Sequence, residues 1–335
     1  MSTIRKSQKF FTSAAVGGKK ARAGRRRGTP PVVHPNELAP NIVYARTGYK
    51  DINALLTFVI IVSNGDIDKM TTKISRLTWF EEWFVFFELM HAKTLNSFTA
   101  AAAVFKIKND IIANIFNEKL RQVLEARRSW PKYASLHEDN TLKSDKWKEK
   151  YKGKRVIFHD NTGIKISQPQ DGFLQRLTYS SYYGGNVGKA GVHVQQCGWI
   201  GAYEIFPGAI SDTDYLDQSL ILDEQKVFQE IDGGVPFYNI LDRGYRSTQA
   251  AWRRGQFVLQ PTFVKSDRKF NTEETIQSSR IAADRSGNER AVRLCKTCNF
   301  LRNAEKGFKM KEVNRLCDVW LAHSFQINFM YKSVM

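Results

Sequence analysis

The chain has 335 residues, 42% of them hydrophobic, enough apolar material for one large core or two modest ones. No apolar run approaches the roughly 18 residues needed to cross a bilayer, the longest lying at 54–62, and the four cysteines, Cys197, Cys295, Cys298 and Cys317, are too scattered for a disulfide framework and suit a reducing compartment. A formal net charge of +18 calls for a polyanionic partner, nucleic acid first, with a generally basic surface in an RNA-rich assembly as the alternative.

Residues 1–30 hold nine Lys or Arg and no acidic residue, including Arg25-Arg26-Arg27. Such a segment cannot build a core and is expected to be a disordered basic tail. It reads as a nuclear-import signal or a DNA-binding arm, and alternatively as an organellar transit peptide. Thr29-Pro30-Pro31 through Pro40 reads as an extended linker that closes this 1–40 region.

Helical spacing follows over 41–130. It predicts helices at Asp51–Val62, Leu77–His91, Ser97–Phe105 with Ser97 as N-cap, and Asn109–Arg127. The last two are joined by F-K-I-K-N, a turn short enough for a helix-turn-helix with Lys106, Lys108 and Asn109 at the start of its second helix. An antiparallel helical pair packed as a cap fits the same pattern. Residues 131–154 form a basic linker ending in K-S-D-K-W-K-E-K-Y-K-G-K-R (143–155), where lysines such as Lys148 and Lys152 alternate with Trp147 and Tyr151. Aromatics among cations suit base stacking and phosphate contact, and a solvated helix with snorkelling lysines is the plain alternative.

From 155 the pattern changes to strands. Arg155–His159 is β-prone and closes on Asp160-Asn161-Thr162-Gly163, Gly191–Cys197 and Trp199–Phe206 form a hairpin around Gly198, and Phe237–Leu241 stops at Asp242. Helical spacing runs from Asp214 to about Phe228, a helix at Ser247–Arg253 precedes a strand at Gln256–Gln260, and a long helix runs from Thr272 to about Leu301. Cys295 and Cys298 then read as a buried helical face rather than half of a zinc site. This order resembles an RNase H-like α/β fold, a mixed five-stranded sheet with flanking helices over 155–330. Its first and fourth strands would be neighbours, bringing Asp160 beside Asp242, with Glu289 completing the cluster from the long helix. Oxygen-only ligands of this kind suit Mg²⁺ or Mn²⁺, and two such ions serve phosphodiester chemistry.

Four motifs appear in order: H-D-N-T, P-G-A-I-S-D-T-D-Y, L-D-R-G-Y-R and R-S-G-N-E-R-A-V. Over residues 75–330 the chain resembles the DDE superfamily of transposase endonucleases, specifically its PIF/Harbinger-like branch. The resemblance implies that Asp160, Asp242 and Glu289 are catalytic metal ligands for two Mg²⁺ or Mn²⁺ ions. It further implies DNA as substrate, both element termini and target, and a separate DNA-binding accessory protein; homo-oligomerisation stays open. Asn161 departs from the small residue the family often carries there. Arg285, four residues before Glu289, is expected to orient that carboxylate or contact phosphate, and Arg243 and Arg246 are expected to contact the DNA strand. Asp212 matches an Asp that the family carries after Pro-Gly, and an N-cap of the following helix explains it at least as well; His159, by strand alternation, reads as core. A catalytically silent DNA-binding descendant and a basic component of an RNA-containing particle remain as alternatives.

Overall fold

A computed structural model describes residues 38–66, 77–92, 97–246, 248–261, 271–302 and 313–330. The basic tail, and with it the expected import or transit signal, lies outside the described residues. The first element, α1 (Pro40–Thr47), begins at Pro40. The extended-linker expectation therefore ends one residue early, because proline is tolerated at the first helical position, where its missing N–H has no intrahelical partner to lose.

Three helices follow: α2 (Ile52–Val62) with Asp51 accepting from the Ala54 amide at 2.8 Å, α3 (Trp79–His91), and α4 (Phe98–Phe105) capped by Ser97. The long amphipathic α5 (Asn109–Ser129) comes next. In α3 every residue from Phe80 to Met90 is buried, so it is the central helix rather than a surface one. Its three glutamates are each compensated. Glu81 closes a capping box with Thr78, Glu82 pairs with the fully buried Lys119 at 3.0 Å, and Glu88 pairs with Arg46.

The segment expected to be a linker is folded. It contains α6 (Leu136–Leu142) and α7 (Asp145–Lys150), and Trp147 and Tyr151 are buried, stacked on each other at 5.5 Å and packed with Val156, Phe158, Ile240 and Ile281. The base-stacking expectation for these two rings fails because their apolar area is spent on the sheet.

The sheet comprises β1 (Arg155–Lys165), β2 (Tyr179–Ser180), β3 (Gly185–Gln195), β4 (Ile200–Pro207), β5 (Phe237–Ile240) and β6 (Phe257–Leu259). Interspersed are α8 (Gly172–Thr178), α9 (Asp212–Gln218), α10 (Ile221–Ile231) and α11 (Gln249–Arg253); α12 (Thr272–Cys295), α13 (Asn299–Arg302) and α14 (Val313–Met330) close the chain. The spatial order is β4-β3-β1-β5-β6, with β2 also on β3. β1, β5 and β6 run parallel, and β3 and β4 are antiparallel to their neighbours. This is the mixed RNase H-like architecture, and the first and fourth long strands are indeed adjacent. β1 differs from expectation in running through Asp160 to Lys165, because its antiparallel pairing with β3 continues after its parallel pairing with β5 ends at Phe158↔Ile240.

One core, from Val43 in α1 to Met330 in α14, joins the N-terminal helices to one face of the sheet. The long helix α12 ends at Cys295, short of the expected Leu301, so Cys295 and Cys298 straddle its end. Both are buried, as the sequence implied.

Candidate functional site

Strand alternation puts Val156, Phe158, Asp160, Thr162 and Ile164 on one face of β1. α12 crosses that face: Ile281 packs with Phe158, and the Lys296 ammonium, at the helix end, donates to Thr162 Oγ1 at 2.9 Å. The register of β1 and β5 pairs Phe158 with Ile240, so two residues further on Asp160 and Asp242 lie side by side where the strands part. Arg285 Nη2 sits 3.6 Å from Asp242 Oδ2 and adds its positive field at Asp160.

A third carboxylate is present that sequence reasoning assigned elsewhere. Ser211, not Asp212, caps α9, accepting from the Asp214 amide at 3.0 Å. Asp212, free of that duty, accepts from Asn161 Nδ2 at 3.0 Å and from Lys189 Nζ at 3.1 Å. A Cβ on Gly244 would sit 2.6 Å from Asp212 Oδ2 and 2.9 Å from Asp242 Oδ1, so a side chain there would push these carboxylates aside. The Gly244 amide donates to Asp242 Oδ1 at 2.6 Å. The signal for Asp212 was its place after Pro207-Gly208; the signal for Lys189, one residue in a β3 strand, was absent.

Burial pushes the Asp160 carboxyl up to about 6, opposed by Arg285 and reinforced by the charges of Asp242 and Asp212. The donor set is oxygen only, and the repulsion within it is of the kind a hard divalent cation relieves. Among the described residues no three His, Cys, Asp or Glu side chains converge on one point. Mg²⁺ does not require that, since it is commonly held by one or two carboxylates with waters and substrate phosphates filling the rest. The residues present therefore fit such an ion.

Glu289 is exposed and joins no described residue by hydrogen bond or ion pair. Spacings of four, seven and eleven residues nevertheless set Arg285, Glu289, Val292 and Lys296 on one stripe of α12, between the arginine that reaches Asp242 and the lysine that reaches Thr162. The expected Arg285–Glu289 pair is not formed; Arg285 pairs across the cleft instead. The buried acid of this helix is Asp284, which accepts from Tyr151 Oη at 2.8 Å and pairs with Lys150.

On the opposite face of β1, His159 is buried with Nε2 2.7 Å from Asn239 Oδ1 and 3.0 Å from Gln225 Nε2, and Asn239 Nδ2 donates to Gln256 Oε1 at 3.1 Å. Burial lowers the imidazole to about 4, against the Asn239 hydrogen bond. This neutral network ties β1, α10 and β5 together directly behind Asp160, and His159 is core, as alternation required.

The remaining expected residues are on the surface. Lys106, in the left-handed conformation at the end of α4, Lys108 and Asn109 are exposed at the α4–α5 turn. Lys148 is exposed and 3.4 Å from Asp145, Lys152 is exposed after α7, and Arg243 and Arg246 are exposed on the loop after Asp242, with the Arg246 amide donating to Thr213 Oγ1 at 2.8 Å. Arg243 and Arg246 thus flank Asp242, whereas no hydrogen bond or ion pair among the described residues joins Lys106, Lys108 or Asn109 to the carboxylates.

Compared with known families, residues 159–325 match the model of a DDE superfamily endonuclease. No curated protein matches significantly. The matched segment begins one residue before Asp160 and runs through β3–β6 into α14, covering the whole acidic cleft, and it supports the DDE endonuclease superfamily.

Proposed function

We propose that the chain, whose residues 159–325 match the model of a DDE superfamily endonuclease, is a PIF/Harbinger-like transposase that cuts, and in strand transfer rejoins, DNA at the ends of its element. The observation that carries this reading is the meeting of Asp160, midway along β1 where its pairing with β5 ends, and Asp242, just past the end of the parallel β5, under a helix that brings Arg285 to them.

Asp160 and Asp242 would hold the divalent ions, and Glu289, one turn beyond Arg285 on α12, would supply the third carboxylate. Two Mg²⁺ or Mn²⁺ ions bound by these carboxylates would supply the Lewis acidity that phosphodiester cutting and strand transfer call for. Arg285 fixes the Asp242 carboxylate, Lys189 and Asn161 fix Asp212, and the His159–Asn239–Gln256 chain fixes the strand that carries Asp160. Asn161 is accommodated without displacing Asp160: its side chain turns to Asp212 while its amide donates to Asp160 Oδ1 at 2.9 Å.

The net charge of +18 supplies the attraction to the phosphate backbone. In this reading Lys106, Lys108 and Asn109 at the α4–α5 turn, Lys148, Lys152, and Arg243 and Arg246 contact DNA, and the basic tail directs nuclear import. A separate DNA-binding protein completes target recognition.

Purified protein with Mg²⁺ or Mn²⁺ is expected to nick DNA carrying the element's termini, and Asp160→Asn to abolish nicking while leaving DNA binding intact. Cutting that survives both Asp160→Asn and Glu289→Gln would sink this reading, and salt-sensitive binding without any cutting would support a silent DNA-binding descendant.

A further inference from the structure

Beside the acid pair, a hairpin tip displays an aromatic ring to solvent. β2 and β3 pair at Ser180↔Gly185, and Ser181-Tyr182-Tyr183-Gly184 close the tip, with the Gly184 amide 3.3 Å from the Ser181 carbonyl and Gly184 at φ +63°. That left-handed conformation is one glycine adopts without steric cost. The two tyrosines then part.

Tyr183 folds back onto β1. Its hydroxyl accepts from the Gly163 amide at 2.8 Å, and its ring covers Gly163 so closely that a Cβ there would be 2.5 Å away. The Lys296 ammonium lies 5.9 Å from the ring centroid, and the Asp160 charge is within electrostatic reach of the phenol. Tyr182 goes the other way. It is 86% exposed, more than any other large hydrophobic side chain among the described residues, and its ring stands edge-on to Tyr183 at 4.9 Å. Tyr179 on β2 and Phe173 on α8 are also exposed, as are Lys165 on β1 and Arg176 on α8.

This is an aromatic platform anchored, through Tyr183, to the strand of Asp160, with the Lys296 ammonium beside its inner ring. A half-buried neighbour hydrogen-bonded to Gly163 and a closed turn hold its backbone, so little conformational freedom is left to lose when a flat partner arrives. Every nucleobase has a π-face, and stacking on tyrosine is tolerant of sequence. A paired base in a duplex already has both faces covered, so such a ring gains most from a base that has left the stack.

We propose that Tyr182 is a base-stacking residue, which receives the face of an unpaired nucleobase at the end of the DNA strand held at Asp160 and Asp242. The inference rests on the endonuclease reading and adds to it a preference for frayed or overhanging ends over fully paired duplex.

The test uses the full chain in EDTA, so that no cutting intervenes, with two DNA probes: a blunt duplex, and the same duplex carrying a three-nucleotide overhang that contains 2-aminopurine. Wild type is expected to bind the overhang probe more tightly and to change its 2-aminopurine emission. Tyr182→Ala should lose that emission change and about 10-fold in overhang affinity, with blunt-duplex affinity unchanged, while Tyr182→Phe should behave as wild type. Equal overhang binding by Tyr182→Ala and wild type would overturn the proposal. So would equal losses in the Phe and Ala variants, or a loss of self-association in Tyr182→Ala with DNA binding untouched, which would assign the ring to a second copy of the chain. Failure of the endonuclease reading is separate: it would appear as absence of nicking by wild type in Mg²⁺, whatever the EDTA experiment gives.

Discussion

Arg285 Nη2 lies 3.6 Å from Asp242 Oδ2, bridging α12 to the loop after β5. The same guanidinium lowers Asp160 against the upward push of burial, so one side chain moderates two acids from different strands. Arg285→Ala should therefore raise the Asp160 carboxyl further and move the acid limit of Mn²⁺ binding to higher pH. Titration calorimetry with Mn²⁺ from pH 5 to 8 would check this, and a midpoint that stays near 6 in the variant would refute it. Arg285→Lys should give an intermediate shift, because a lysine keeps the charge but not the planar fork.

Asp160 also predicts a stability effect with a definite sign. Its carboxyl is raised from the ordinary 3.8 to about 6, so the folded chain disfavours the charged form. The cost is absent below about pH 4, where the group is protonated in folded and unfolded states alike, and complete above about pH 6. Asp160→Asn should stabilise the metal-free protein by about 1 to 3 kcal/mol at pH 7.5 and by almost nothing at pH 4. Thermal melts in EDTA at the two pH values read the difference directly.

Gly244→Ala tests the flanking of the loop by Asp212 and Asp242. The added methyl would come within 2.6 Å of one carboxylate and 2.9 Å of the other, so the side chains must move apart. Because the loop is exposed, the melting temperature should hardly change. Nicking should fall at least about 10-fold, the scale expected when catalytic groups are displaced by an ångström or less. Unimpaired nicking would mean that the distance between these two carboxylates does not matter.

Lys119 and Glu82, 3.0 Å apart and both with fully buried side chains, tie α5 to α3. Lys119→Ala strands a buried carboxylate and should cost about 3 to 5 kcal/mol, while Lys119→Met with Glu82→Leu should recover most of it. Urea unfolding of the three proteins distinguishes the cost of an orphaned charge from the loss of a stabilising pair.

Acid should weaken the fold through its histidines. Burial lowers His159 and His323 to about 4, and lowers His91 and His193 well below the usual 6.5. For a lowered imidazole the unfolded chain takes up a proton first, so stability is full above pH 6.5 and falls as the pH drops toward 4. Each such histidine contributes about 1.4 kcal/mol per pH unit in that window. Chemical denaturation at pH 7, 6 and 5 would show it, and His159→Gln should flatten the slope.

Local chemistry alone determined much of this protein. Alternation on β1 separates Asp160 from His159, and caps such as Asp51 and Ser97 start their helices where the spacing says they should. These features depend on residues near one another in the chain, so they are legible without the fold. Whether Trp147 and Tyr151 would meet bases or the sheet was settled by Phe158 and Ile281, residues contributed by β1 and by a helix more than a hundred positions away. The role of Asp212 was decided by Ser211 taking the cap and by Lys189 and Asn161 arriving from other strands. Arg285 had a partner one turn away on its own helix and instead found Asp242 across the cleft. A side chain with two chemically suitable partners is assigned by which one the packed strands and helices bring within reach, and that depends on tertiary structure.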